Sequence, residues 1–198
     1  SLKSLYSGCM LPLLDMQPHS RTMVSLLEKT IRLIRSQTAK GTLNLNTNGS
    51  RPKVIAKLFE SGLDSIRVSV NSFIPEWYTL YYQPRGYTFD DVLESIRISS
   101  RMNKFASINY LTFPGVTDTE TEVEALLKAL EDIRPNMIQW RNLNIDPEEY
   151  LRLLKPPGKC LGIPEVMRLV RERFPDVRFG YFNPYLGAVP MRTLSIGA

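Results

Sequence analysis

The 198-residue sequence predicts an α/β protein, a full or partial parallel (β/α) barrel, and three observations carry that expectation. Short strand-like segments alternate with amphipathic helical stretches, which implies parallel strands joined by right-handed crossovers. Four successive strands each have one apolar and one polar face, whereas a doubly wound sheet covered on both sides shows continuous apolar strands. The composition, 43% hydrophobic and 23% charged, fits one ordinary folded domain, long enough to bury roughly 70% of its unfolded surface.

In chain order, Val24, Leu27, Ile31 and Ile34 follow the three-and-four spacing of a helix face and set the first helix. A strand is expected over 43–48. Ser50 and Pro52 open the next helix, Ile55, Leu58 and Phe59 face inward, and Gly62 stops it. Further strands are expected over 66–71, 106–111, 137–143 and 177–182, with helices over 90–102 and 164–174 between them. Thr119 with Glu122 makes a capping-box pattern ahead of Val123, Leu126, Leu127 and Leu130, so another helix starts there. No repeat, low-complexity tract or linker divides the chain.

Period two along each strand fixes which side chains converge. Leu43 and Leu45 alternate with Asn44, Asn46 and Asn48; Ile66, Val68 and Val70 alternate with Arg67, Ser69 and Asn71. Ile108 and Tyr110 alternate with Ser107 and Asn109, and Ile138 and Trp140 with Gln139 and Arg141. With helices outside, the polar faces line a lumen of amides and hydroxyls with two guanidinium groups and no carboxylate, lysine, histidine or cysteine. That set suits binding better than acid/base or nucleophilic work. Amides offer paired donors and acceptors and Arg matches an oxyanion in a fork, so the ligand is expected to be a polyhydroxy or amide-bearing molecule with a carboxylate or phosphate, as a nucleoside derivative is. The competing reading is a wet core whose polar groups satisfy one another.

Residues 73–89 hold seven aromatics in seventeen positions, directly after the strand that ends at Asn71. Loops after strands form the functional rim of an α/β barrel. Trp77, Tyr78, Tyr81, Tyr82 and Tyr87 are therefore candidates to cover the cavity or stack on a substrate, with plain packing over the barrel mouth as the alternative.

One histidine, His19, and two cysteines, Cys9 and Cys160, 151 positions apart, argue against a His-based zinc enzyme and against a disulfide framework. A reduced, cytoplasmic setting is expected. The net charge of +5 is concentrated in residues 1–60, which hold nine basic and three acidic residues. These cations fall mostly on polar helix faces, so no nucleic-acid partner is expected. No apolar run reaches the roughly 18 residues of a membrane span, and no membrane association is expected.

Four segments together resemble the later part of a radical SAM enzyme core: LNTNGS at 45–50, GLDSIRVSVNS at 62–72, INYLTFPGVTD at 108–118 and MIQWRNLNIDP at 137–147. The resemblance implies a partial barrel of about six βα units that binds S-adenosylmethionine against a 4Fe-4S cluster and cleaves it reductively to a 5′-deoxyadenosyl radical. It also implies a small-molecule substrate and a reductant such as ferredoxin or flavodoxin. By position, Asn46 or Thr47 matches contacts to the methionine part or ribose, Ser69 and Asn71 the ribose or carboxylate, and Asn109 the adenine border. Arg141 is matched to the cofactor, with Arg67, Gln139 and Tyr82 toward the substrate.

Two departures from the family pattern stand out. The C-x3-C-x2-C loop that normally holds the cluster is absent, since iron needs thiolates and the chain has only Cys9 and Cys160. Gly8 and Pro12 occupy places of the family's Gly-Gly-Glu-Pro strand without its acid. The expectation is thus a single partial barrel over 1–198, a fragment with a divergent junction over 1–20, inactive in isolation and, if the preceding strand is lost, with the strand over 43–48 as an exposed edge. A cluster-free barrel serving as a binding or scaffold domain is the alternative.

Overall fold

A computed structural model describes residues 8–11, 21–156, 158–180 and 186. The strands are β1 (Gly8–Leu11), β2 (Thr42–Thr47), β3 (Ser65–Val70), β4 (Phe105–Thr112), β5 (Met137–Asn142) and β6 (Arg178–Phe179). The helices are α1 (Arg21–Gln37), α2 (Pro52–Glu60), α3 (Pro75–Tyr82), α4 (Phe89–Arg101), α5 (Glu120–Ile133), α6 (Pro147–Leu154) and α7 (Ile163–Arg173). All six strands pair in sequence order β1-β2-β3-β4-β5-β6, every pairing parallel. Such an order, with a helix in each crossover, is one arc of a (β/α) barrel.

β1 pairs with β2 from Gly8 against Thr42 to Leu11 against Leu45. The preceding strand is therefore present, and the condition under which 43–48 would be a bare sheet edge is not met over Thr42–Leu45. At the far end of the chain, Leu186 N donates to Thr42 Oγ1 at 3.2 Å, so residue 186 reaches back to the start of β2.

The helix-facing side of the sheet is the hydrophobic core. Leu43, Leu45, Ile66, Val68, Val70, Ile108, Tyr110 and Ile138 are all buried there, packed against Ile31, Ile55, Leu58, Val92, Ile96, Val123, Leu126 and Leu130 of the helices. Each fully buried aliphatic side chain contributes about 1.5–3 kcal/mol, so the alternation read from the sequence is also what holds helices to sheet. α1 is tied to the base of the sheet by Arg35, which donates to Gly62 O at 2.9 Å and forms an ion pair with Asp64. Asp64 in turn accepts from Leu43 N at 2.6 Å, locking the starts of β2 and β3 together.

Two helices were not foreseen. α3 runs through the aromatic segment, starting with Pro75 in the first turn, and α6 starts with Pro147 behind an Asp146 cap that accepts from Glu149 N. α4 begins with a full capping box, Thr88 with Asp91. At α5 only half of the expected box forms: Thr119 accepts from Glu122 N, while the Glu122 side chain turns inward to other partners.

Candidate binding lumen

Register turns the inner face into lateral rows. Asn44 stands beside Ser65 at the bottom, and the next row reads Asn46, Arg67, Ser107, Met137 and Arg178. Above it stand Ser69, Asn109 and Gln139, and then Leu111 beside Arg141. Neighbouring strands lie about 4.8 Å apart, so members of one row present their side chains to the same small volume.

The rows are hydrogen-bonded to one another. Ser65 Oγ donates to Asn44 Oδ1 at 2.8 Å, and Asn44 Nδ2 donates to Asn46 Oδ1 at 3.1 Å. Asn109 Nδ2 donates to Ser69 Oγ at 2.9 Å. Arg67 Nη1 donates to Gln139 Oε1 at 3.2 Å, spanning from β3 to β5 over the intervening strand. Burial, and after it the positive charge of Arg141, pulls the Arg67 pKa below its ordinary value. Arg67 forms no ion pair with any carboxylate among the described residues.

The structure brings together six of the nine residues singled out from the sequence: Asn46, Arg67, Ser69, Asn109, Gln139 and Arg141 share the inner face. The other three lie elsewhere. Thr47 follows the Leu43 and Leu45 alternation onto the helix side, and its Oγ1 accepts from Gly49 N at 3.1 Å. Asn71 lies past the end of β3 and is fully buried. Its Nδ2 donates to Tyr150 Oη of α6 at 3.1 Å and to Trp77 O of α3 at 3.4 Å, while its Oδ1 has no partner. Tyr82 stacks on Tyr78 with ring centroids 4.6 Å apart, and its hydroxyl is buried without a partner.

α3 and α6 form a cap. Trp77, Tyr150, Val116 and Leu154 make a second buried cluster, with Tyr81 edge-on to Tyr150 at 5.8 Å and Phe113 at 5.0 Å. The aromatic segment thus packs into the protein by its own helix rather than pointing five rings at a ligand.

Below the cap lies an anchor that sequence reasoning assigned only to helix capping. Glu122 of α5 is fully buried. It accepts from Ser72 Oγ at 2.5 Å, Phe73 N at 2.7 Å and Tyr110 Oη at 2.8 Å. Burial pushes its pKa up to about 7 against the opposing pull of those donors. Arg178 was also missed: the last strand was expected, but its register partner Met137, which places Arg178 on the inner face, is not legible without the pairing.

A family model described as the Radical SAM superfamily matches residues 17–130, more than half the chain. The chain belongs to the radical SAM superfamily. No curated protein matches the sequence. The fold of this radical SAM chain is similar to a domain of pyruvate-formate lyase-activating enzyme from Bacteroides vulgatus ATCC 8482, with TM-score 0.59 and 11% identity over 88% of this chain and 99% of that one. It is similar to the FeFe-hydrogenase maturase HydG from Carboxydothermus hydrogenoformans, with TM-score 0.56 and 16% identity over 80% of this chain and 38% of that one. Methylornithine synthase (PylB) matches with TM-score 0.54 and 14% identity over 98% of this chain and 64% of that one. The match therefore spans less than two thirds of HydG and of PylB.

The superfamily implies S-adenosylmethionine and a 4Fe-4S cluster, and this chain fits them unequally. Amides, hydroxyls and guanidinium groups on one face are a donor set for ribose, adenine and carboxylate. The cluster does not fit: two cysteines fall short of three thiolates, and Cys160 is exposed in a bridge with Thr119. No group of three His, Cys, Asp or Glu residues placed to hold a metal occurs among the described residues. Nor is any described helix long and apolar enough to cross a membrane.

Proposed function

We propose that this chain forms the S-adenosylmethionine-binding wall of a radical SAM enzyme, with the cluster ligands supplied by another segment or polypeptide. The observation that supports the reading is the shared inner face of Asn46, Ser69, Asn109 and Arg141 on four adjacent strands of a radical SAM fold, with Asn109 hydrogen-bonded to Ser69. When bound, the cofactor supplies radical chemistry on one-electron reduction, for which a reduced compartment and a donor such as ferredoxin or flavodoxin are suited. Asn46 and the Asn109–Ser69 pair orient its ribose and base, and Arg141 takes its carboxylate. On that face Asn46 and Gln139 are buried, while Ser69, Asn109 and Arg141 stay partly exposed and open to a ligand.

Calorimetric titration of S-adenosylmethionine into the chain tests this. Saturable binding that Asn109→Ala weakens about tenfold, roughly the 1.4 kcal/mol of one good hydrogen bond, supports the reading; no saturable binding overturns it. With dithionite under anaerobic conditions the chain alone is expected to release no 5′-deoxyadenosine, and robust release would show that the cluster assembles on these residues after all.

The absence of three thiolates also favours a second reading, a cluster-free barrel that binds or scaffolds. Cofactor binding without turnover, even in the presence of the remaining polypeptide and a reductant, would select it.

A further inference from the structure

The inner face is charged in one direction. Arg67, Arg141 and Arg178 stand on it by register, in two rows separated by the row of Ser69, Asn109 and Gln139. No Asp or Glu shares that face on β2 to β6: the inward positions are otherwise Thr42, Asn44, Asn46, Ser65, Phe105, Ser107, Leu111 and Met137. The ion pairs seen among the described residues lie elsewhere, on Arg35 at the base and on Arg32, Arg97, Arg101, Arg152, Arg168 and Arg173 of the outer helices.

S-adenosylmethionine cannot balance this wall. It carries a sulfonium and an ammonium against one carboxylate, and so is a net cation when its amine is protonated. One guanidinium is answered by its carboxylate. Of the remainder Arg67 is partly buried and Arg178 exposed; around the partly buried guanidinium like charges raise one another's cost and a bound anion lowers it. Arg67 shows the strain, since its partner is the neutral Gln139 and its charged form is disfavoured by burial and by Arg141.

We infer that the substrate taken by this lumen carries its own oxyanion, a carboxylate or a phosphate, held between Arg67 and Arg178 on the row that also bears Asn46 and Ser107. Guanidinium forks match either oxyanion bidentately, so the chemistry shared by the two is what the wall specifies. The inference rests on the reading of the inner face as the ligand chamber, and it adds the charge of the second molecule in it.

Inorganic phosphate and succinate, titrated separately into the 198-residue chain at low salt, serve as probes. At least one is expected to bind saturably, and Arg67→Gln and Arg178→Gln are each expected to weaken it tenfold or more. Arg168→Gln, on the outer face of α7 between Glu165 and Glu172, is expected to leave it unchanged. Binding of phosphate alone assigns a phosphorylated substrate, and of succinate alone a carboxylic acid. If neither probe saturates, or if both inner-face variants bind as the parent does, the inference falls. Arg178→Gln alters an exposed side chain on a two-residue strand, the outermost among the described residues, so it stays informative if Arg67→Gln proves unstable by thermal melt. Titrating S-adenosylmethionine alongside separates the two readings: anion binding without cofactor binding overturns the cofactor reading alone, and the reverse overturns this inference alone.

Discussion

Tyr110 Oη donates to Glu122 Oε1 at 2.8 Å, and Phe73 N reaches the same oxygen at 2.7 Å. One carboxylate therefore joins the middle of β4, the first turn of α5 and the turn that leaves β3. Three donors converge on a side chain with no access to water, so the loss of the acceptor strands all three.

Glu122→Ala is expected to cost about 3–5 kcal/mol, the range for opening a buried hydrogen-bonded ionisable network. Glu122→Gln keeps an acceptor for Phe73 N and Tyr110 Oη and loses only the Ser72 geometry, so about 1–2 kcal/mol is expected. Urea denaturation of both variants checks the order. An alanine variant within 1 kcal/mol of the parent, on the order of one ordinary hydrogen bond, would mean that the network contributes little.

The same carboxyl sets a pH dependence. Its folded pKa, about 7, is above its ordinary 4.5, so between those values the folded state holds a proton that the unfolded state has released. Its contribution is therefore fully present below pH 4.5 and declines as pH rises to about 7, by a few kcal/mol at most. Glu94 and Glu165, whose pKa values are lowered mainly by Arg101 and Arg168 respectively, act in the opposite sense and at more acidic pH. Unfolding free energies at pH 5 and pH 8 are expected to differ by less in Glu122→Gln than in the parent. Equal differences would remove Glu122 as the source.

Adjacent residues of β2 should behave oppositely toward the cofactor. Asn46 is on the inner face and Thr47 faces the helices with its hydroxyl on Gly49 N. Asn46→Ala is expected to weaken S-adenosylmethionine binding about tenfold. Thr47→Val is expected to change affinity little while lowering stability by about 1 kcal/mol. Calorimetry on the two variants decides, and the reverse ranking would mean that the strand is read on the wrong face.

Gly49 closes the turn after β2 with φ of +72°, and a Cβ there would lie 3.1 Å from Val68 Cγ1 and 3.2 Å from Val92 Cγ1. Its carbonyl also accepts from Ser95 Oγ at 2.6 Å, tying the turn to α4. Gly49→Ala combines a left-handed backbone with a crowded site, so a loss of more than about 1 kcal/mol is expected. Thermal melting is sufficient to see it.

The strands and the outer helices were legible because period two and the three-and-four spacing survive in the residues that pack. Leu43, Leu45, Ile66, Val68, Ile108 and Ile138 alternate without a break, and burial follows them. The cap was not legible as helix. α3 carries only Glu76 and Thr79 as polar residues among its aromatics and so has little polar stripe to phase it, although Pro75 followed by Glu76 is a helix-start signal. α6 has an Asp-Pro-Glu-Glu start at 146–149 that does read as one. Side-chain direction past a strand end was the other loss. Alternation carried Asn71 inward on paper, but after Val70 the chain leaves the ladder, and only the fold shows Tyr150, 79 residues away, receiving it. Likewise the pattern Thr119-x-x-Glu122 is common to a surface capping box and to a buried anchor, and nothing local distinguishes them.

The Asn71 side chain is held by both halves of the cap, by the Trp77 carbonyl of α3 and by the Tyr150 hydroxyl of α6. A residue sealed in this way governs timing more than affinity. A molecule that used its free Oδ1 would first have to part the two helices, and the opening step, rather than the contact itself, would set how fast the end of β3 is reached and how long whatever lies there stays.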